Sequence, residues 1–128
     1  MIPKYRAYDS GSLCRMYQPE EVMVCDGNIW IIDEDDVAGS WIVNNDLNLM
    51  QSTGLVDKED TEVFEGDILH HQIQTEYTFI VKYDKDKGRW YGDGLSRTYR
   101  IDITKDFLQY YKVIGNIYEN PELLEVKS

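Results

Sequence analysis

Seven residues, Tyr77-Thr78-Phe79-Ile80-Val81-Lys82-Tyr83, constrain the fold most. Tyr77, Phe79, Val81 and Tyr83 alternate with Thr78, Ile80 and Lys82, the period of a strand with one face buried. Phe79 and Val81 should therefore sit deep in a core. A polar loop, Asp84-Lys85-Asp86-Lys87-Gly88, follows, and then Arg89-Trp90-Tyr91, so the pattern continues as a hairpin. The same logic recurs upstream. Met23-Val24-Cys25 and Asn28-Ile29-Trp30-Ile31 flank Asp26-Gly27, a two-residue loop of the kind that accepts positive φ.

Other short strands are expected at Trp41-Ile42-Val43, at Leu47 to Met50, from Ile68 to Ile73, from Ser96 to Ile103 and from Val113 to Ile117. Ser52-Thr53-Gly54 and Glu65-Gly66-Asp67 read as turns. Helix is expected only in two short pieces. One runs from Lys105 to Gln109, with Thr104 as its cap. The other starts at Asn120-Pro121 and covers Pro121–Leu124. Gly115 interrupts an apolar strand, so it should mark a bulge, a positive φ, or the close approach of a strand or aromatic ring. Dense short strands favour a closed or nearly closed sheet over an open one, because closure hides edges. The expected fold is mainly β. A small, SH3-like, partly open β-barrel fills residues 62–128. A further β unit occupies residues 1–51, and residues 52–61 form a turn-rich seam between them; one compact domain is the alternative reading.

At 128 residues, 42% of them hydrophobic and 12% aromatic, the chain can bury a core. No apolar run approaches the roughly 20 residues that span a bilayer. The N-terminal residues show no signal-peptide pattern, and Cys14 and Cys25 have no metal or redox spacing. A cytoplasmic location follows as the expectation. The formal charge is −11. Residues 1–60 hold twelve acids against four bases, and residues 61–128 hold twelve against nine. The acidic first half argues against nucleic acid as a partner, since binding DNA rests largely on releasing counterions from phosphates.

No constellation specifies a reaction. Asp84-x-Asp86-x-Gly88 fails as a calcium loop: counting from Asp84, Gly88 stands fifth, Arg89 sixth and Leu95 twelfth, where an EF-hand needs glycine at six and an acid at twelve. Asp33-Glu34-Asp35-Asp36 reads as a solvated loop. His70 and His71 are strand neighbours and point to opposite faces. Phosphate loops, nucleophile elbows and zinc spacings have no match. The expectation is therefore no enzyme, no cofactor and no metal. The stretch that invites a functional reading is basic and aromatic: Lys82, Tyr83, Lys85, Lys87, Arg89, Trp90, Tyr91, Arg97, Tyr99 and Arg100. Aromatic rings could stack bases while cations track a single-stranded backbone. The plainer reading is a strand whose aromatics fill a core and whose cations stay in water.

Four blocks, in order from residue 4 to 124, resemble the YopX-like proteins of bacteriophages and prophages. They are Lys4-Tyr5-Arg6-Ala7-Tyr8-Asp9 with Met16-Tyr17 after it; Leu49 to Lys58; Val63-Phe64-Glu65-Gly66-Asp67-Ile68; and the closing Val113 to Leu124. The chain departs at Glu59-Asp60, where that family often places Asn-Gly, so the tight hairpin expected there lacks its usual glycine. The resemblance implies a small β-rich protein with no established biochemical activity. It transfers no catalytic or ligand-binding residue. The function it suggests is that of a non-enzymatic phage accessory protein that works through a protein partner or as a homo-oligomer. The alternatives are a single-strand binder using residues 82–100, or an acidic mimic of DNA.

Overall fold

The computed structural model describes residues 4–11, 14–33, 35–73, 77–95 and 100–124. The fold is mainly β, with a curled half-barrel sheet and little helix, as expected. The chain forms two compact units, Met1–Gln51 and Ser52–Ser128.

In the first unit β1 (Tyr5–Asp9) pairs antiparallel with β2 (Arg15–Tyr17), Ala7 opposite Tyr17. β1 also pairs with the first residues of a long strand that begins at Asn48, Ala7 opposite Leu49. A single 3₁₀ turn, Pro19–Glu21, leads into β3 (Val22–Cys25). β4 (Asn28–Ile32) and β5 (Trp41–Val43) complete a three-stranded antiparallel sheet in the order β3-β4-β5. The β3–β4 hairpin is the one the sequence indicates: Asp26 takes φ +52° and Gly27 φ +76°, positive at both central positions as a two-residue loop requires. Ala7, Tyr17, Val22, Ile31 and Leu47 form this unit's core.

β6 (Asn48–Val56) runs straight through Ser52-Thr53-Gly54, which is strand rather than turn. Gly54 absorbs an irregularity there at φ +79°. Side chains take over the lost ladder bonds: Thr53 Oγ1 donates to the Val63 carbonyl at 2.8 Å and accepts from Leu55 N at 3.1 Å. These are the local side-chain bonds that let Ser and Thr compete with a regular ladder.

In the second unit β6 pairs with β7 (Glu62–Phe64), Ser52 opposite Phe64. The connecting turn closes without Asn-Gly. Asp60 itself takes the left-handed conformation, φ +62°. Asp57 organises the turn. Its Oδ1 accepts from Glu59 N at 2.8 Å and Thr61 N at 2.9 Å, while its Oδ2 accepts from Val113 N at 2.9 Å. One carboxylate thus fixes a local turn and a strand 56 residues away, and it is only 4% exposed.

β8 (Asp67–His71), β9 (Thr78–Asp84), β10 (Arg89–Gly94), β11 (Arg100–Asp102) and β12 (Tyr111–Asn116) make a five-stranded antiparallel sheet in the order β11-β10-β9-β8-β12. β8 stops at His71, short of Ile73, and of the strand expected over Ser96–Ile103 residues 96–99 lie outside the described ones. The alternation in β9 works as expected where it meets the core: Phe79 and Val81 are buried, whereas Tyr83 is exposed at the far end. The core joins them to Val63, Leu69, Ile103, Leu108 and Tyr111. Phe107 stacks on Tyr111 with centroids 4.1 Å apart, and Phe79 meets both rings edge-on. α1 (Lys105–Leu108) supplies Phe107 and Leu108, and its Thr104 cap accepts from Phe107 N at 3.2 Å.

The chain closes as β12 gives way to a 3₁₀ turn, Pro121–Leu124. The ladder between β12 and β8 shifts between Val113 and Gly115, so Gly115 does sit at a bulge. What crowds it is the side chain of Asn120, not a strand or an aromatic ring. That side chain does not cap the turn that follows; its Oδ1 accepts from Asn116 N at 3.1 Å. Asn116 in turn accepts from Tyr118 N at 3.0 Å and Glu119 N at 2.9 Å.

Candidate functional site

The basic, aromatic stretch lies on β9, β10 and β11. The register places Lys82 opposite Tyr91, Arg89 opposite Asp84, Arg100 opposite Asp93 and Asp102 opposite Tyr91. Residues directly opposite, and those two apart on one strand, share a face. Lys82, Asp84, Arg89, Tyr91, Asp93, Arg100 and Asp102 therefore form one surface on which acids and bases alternate. Lys82 Nζ meets Asp93 at 2.6 Å, Arg89 meets Asp102 at 3.0 Å and Arg100 meets Asp84 at 3.6 Å. The Arg100 guanidinium also lies 3.9 Å from the Tyr91 centroid. Each cation of this face faces a carboxylate that a phosphate would have to displace. Tyr91 carries an Arg on its ring in place of a base.

Trp90 points to the opposite, inner face, packed against the core and edge-on to Tyr83 at 4.9 Å. Lys85 and Lys87 stand exposed on the β9–β10 turn. Asp84 closes that turn, its Oδ1 accepting from Asp86 N at 3.0 Å, and Gly88 there takes φ +64°. Arg97 and Tyr99 lie outside the described residues. The sequence brings these cations into view but not their partners, because the acids arrive through strand register.

The acidic loop after β4 spends its carboxylates locally. Asp33 accepts from Asp35 N at 3.0 Å and Asp36 from Ala38 N at 2.9 Å. Hydrogen bonds from the Ser40 side chain first, and then from Ala38 N, hold the Asp36 carboxyl below its ordinary range. Glu34 lies outside the described residues. No group of three metal-ligating side chains occurs among the described residues. His71 is engaged at the end of β8, with Nδ1 accepting from Ile73 N just beyond the strand at 3.1 Å and its ring edge-on to Tyr111 of β12 at 5.1 Å. Cys14 and Cys25 are free and exposed. Among the described residues no helix is long and apolar enough to cross a membrane.

A second surface carries more apolar exposure, and the sequence reading passed over it. Met23 stands opposite Trp30 and Trp30 opposite Val43, with Ile32 opposite Trp41. These five share one face of the β3-β4-β5 sheet, while Val22 and Ile31 on the other face enter the core. Met23, Trp41 and Val43 are 42%, 37% and 44% exposed. In the middle, Trp30 Nε1 is buried with no hydrogen-bond partner. The available signal was the run Ile29-Trp30-Ile31-Ile32, apolar on both sides of a strand, the mark of a strand covered on both faces.

Comparison with known proteins places the chain. The structure is similar to the crystal structure of protein EF1440 from Enterococcus faecalis, with a TM-score of 0.67 and 30% sequence identity over 98% of this chain and 99% of that one. It shares its fold with YopX from Bacillus subtilis, at a TM-score of 0.58 and 17% identity over 98% of both chains. No curated protein compared with it is significantly similar. The family model described as YopX protein matches residues 4–125, nearly the whole length, and the chain belongs to the YopX family.

Proposed function

We propose that this protein is a non-enzymatic accessory protein of phage or prophage origin that acts by protein contact or self-assembly. The carrying observation is the outward apolar face of β3-β4-β5, with Met23, Trp41 and Val43 open to solvent. Soluble proteins seldom leave such a face uncovered unless another surface covers it. Support also comes from the matched family blocks. They resolve into turn formers and anchors, namely Asp57, Gly66, Asp67, Gly115, Asn116 and Asn120, each with a structural task.

Sedimentation equilibrium, together with cross-linked affinity capture from bacterial lysate, tests this reading. A concentration-dependent oligomer or a reproducible partner is expected. A strict monomer that captures nothing would count against it. The single-strand reading is the weaker one, since Lys82, Arg89 and Arg100 are already paired. Anisotropy with a single-stranded oligonucleotide at low salt should show no salt-sensitive binding through residues 82–100. One observation favours the acidic-mimic reading: no Lys, Arg or His lies between Arg15 and Lys58. Displacement of DNA from a DNA-binding protein would be its signature.

A further inference from the structure

The β3-β4-β5 sheet offers more than an apolar face. In the β4–β5 pair, Asn44 N donates to the Ile29 carbonyl at 2.8 Å and Asp33 N to the Ser40 carbonyl at 2.8 Å. Antiparallel ladders alternate, so the intervening hydrogen-bonded pair is Ile31 with Ile42. Trp41 and Val43 then turn their backbone N–H and C=O groups away from β4, and among the described residues β5 is the last strand of its sheet. An unpaired edge of this kind is a template for another strand. Proteins usually guard such edges with a charge, a proline or a bulge. Here the edge reads Ser40-Trp41-Ile42-Val43-Asn44 and carries none of the three.

Charge selects the occupant. Asp33, Asp35 and Asp36 lie in the β4–β5 loop at one end of the sheet. Asp26 in the β3–β4 turn and Asp46 just after β5 lie at the other. Asn45 fixes that second end by donating to the Asn28 side chain at 2.9 Å and accepting from Ile29 N at 2.8 Å. The segment from Met16 to Asp57 contains no cation to offset these acids. A second copy would bring the same uncompensated carboxylates to both ends, and like charges across an interface are costly.

We propose that the β5 edge, with the adjoining face of Met23, Trp30, Ile32, Trp41 and Val43, receives an extended cationic segment of another protein. This rests on the protein-contact reading and names the partner's chemistry. The incoming strand pairs with the backbone of Trp41 and Val43. Its alternate apolar side chains cover the sheet face, and its Lys or Arg residues meet the acids at the two ends.

The test is fluorescence titration of the full chain with synthetic probes, Trp30 and Trp41 serving as reporters. The probes are a peptide of alternating Lys and Val, the same peptide with Glu for Lys, and the Lys/Val peptide N-methylated on alternate amides. The Lys/Val peptide should bind, more weakly as salt rises. The Glu peptide should not bind. N-methylation and Val43→Lys should each weaken binding by roughly tenfold or more, with circular dichroism showing that the exposed substitution leaves the fold intact. If Val43→Lys fails to fold, the N-methylated peptide on the parent protein decides alone. Failure of the Lys/Val peptide to bind would overturn the proposal, as would equal binding of the N-methylated or Glu peptide. So would sedimentation showing a dimer that Val43→Lys dissociates, since the occupant would then be a second copy. That last result would leave the protein-contact reading standing, whereas a monomer that captures nothing from lysate would remove both.

Discussion

A β-carbon built on Gly115 would stand 2.5 Å from Oδ1 and 3.0 Å from Cβ of Asn120. The closing loop folds back on its own strand, and Asn120 reaches Asn116 N only because residue 115 has no side chain. A displaced Oδ1 could swing away, but the Asn120 Cβ is tied to the backbone.

Gly115→Val should therefore destabilise the protein by more than about 1 kcal/mol, through a clash and the loss of the Asn120 bond. Gly115→Ala combined with Asn120→Gly should cost less than the two single changes together, because the second removes what the first strikes. Urea denaturation of the four proteins measures this. Strict additivity would mean that the two side chains do not compete for space.

Asp57→Ala should cost about 2–4 kcal/mol, since three backbone amides lose a charged acceptor. The loss at Val113 N matters most, because Glu59 and Thr61 are exposed and water can replace the carboxylate there. Asp57→Asn keeps one acceptor oxygen and should cost less. Amide hydrogen exchange at Val113 should accelerate in both variants; unchanged protection there would show that the 56-residue link is not made in solution.

Asp60→Gly should raise stability by up to about 1 kcal/mol. The left-handed backbone at φ +62° is strained for a residue with a β-carbon and free for glycine, less the entropy that glycine gains in the unfolded chain. Thermal unfolding reads it directly. A lower melting temperature for Asp60→Gly would assign the Asp60 carboxylate a stabilising role.

Burial first, and the nearby Glu65 carboxylate second, push the Tyr118 phenol above its ordinary value of 10.0. A raised folded pKa means that the native state holds the proton more tightly than the unfolded chain. The associated stability is fully present below pH 10 and is lost as pH rises through the folded value. The ultraviolet difference titration between the parent protein and Tyr118→Phe should show a late tyrosinate, and Glu65→Gln should bring it earlier. An ordinary midpoint in the parent would contradict the burial.

Local signals carried the sequence reading. Asp26-Gly27, the Phe79 and Val81 alternation, Thr104 as a cap and the Asp84–Gly88 loop each act within a few residues, and each stands where expected. Gly115 announced a steric need, but Asn120, its neighbour in space, could not be named from the strand pattern. Ser52-Thr53-Gly54 has the composition of a turn, yet side-chain bonds let it continue as a strand. Nothing local marks the role of Asp57, because its third partner lies on β12. The candidate surfaces were legible only in part for the same reason. The pairing of Arg89 with Asp102 and the open backbone of Trp41 depend on which strands become neighbours.

The alternating face of β9, β10 and β11 also bears on how these strands find their alignment. Sliding β10 along β9 by two residues leaves every apolar side chain on its proper side, so the hydrophobic pattern alone tolerates the error. The charges do not. In one direction the slip sets Arg89 across from Lys82 instead of Asp84; on the other flank, a slip against β11 sets Asp93 across from Asp102 instead of Arg100. Like charges directly opposite oppose pairing. The stretch that first suggested a grip on phosphates thus favours one strand alignment over its two-residue slips, and its charges stay paired at the surface in three ion pairs.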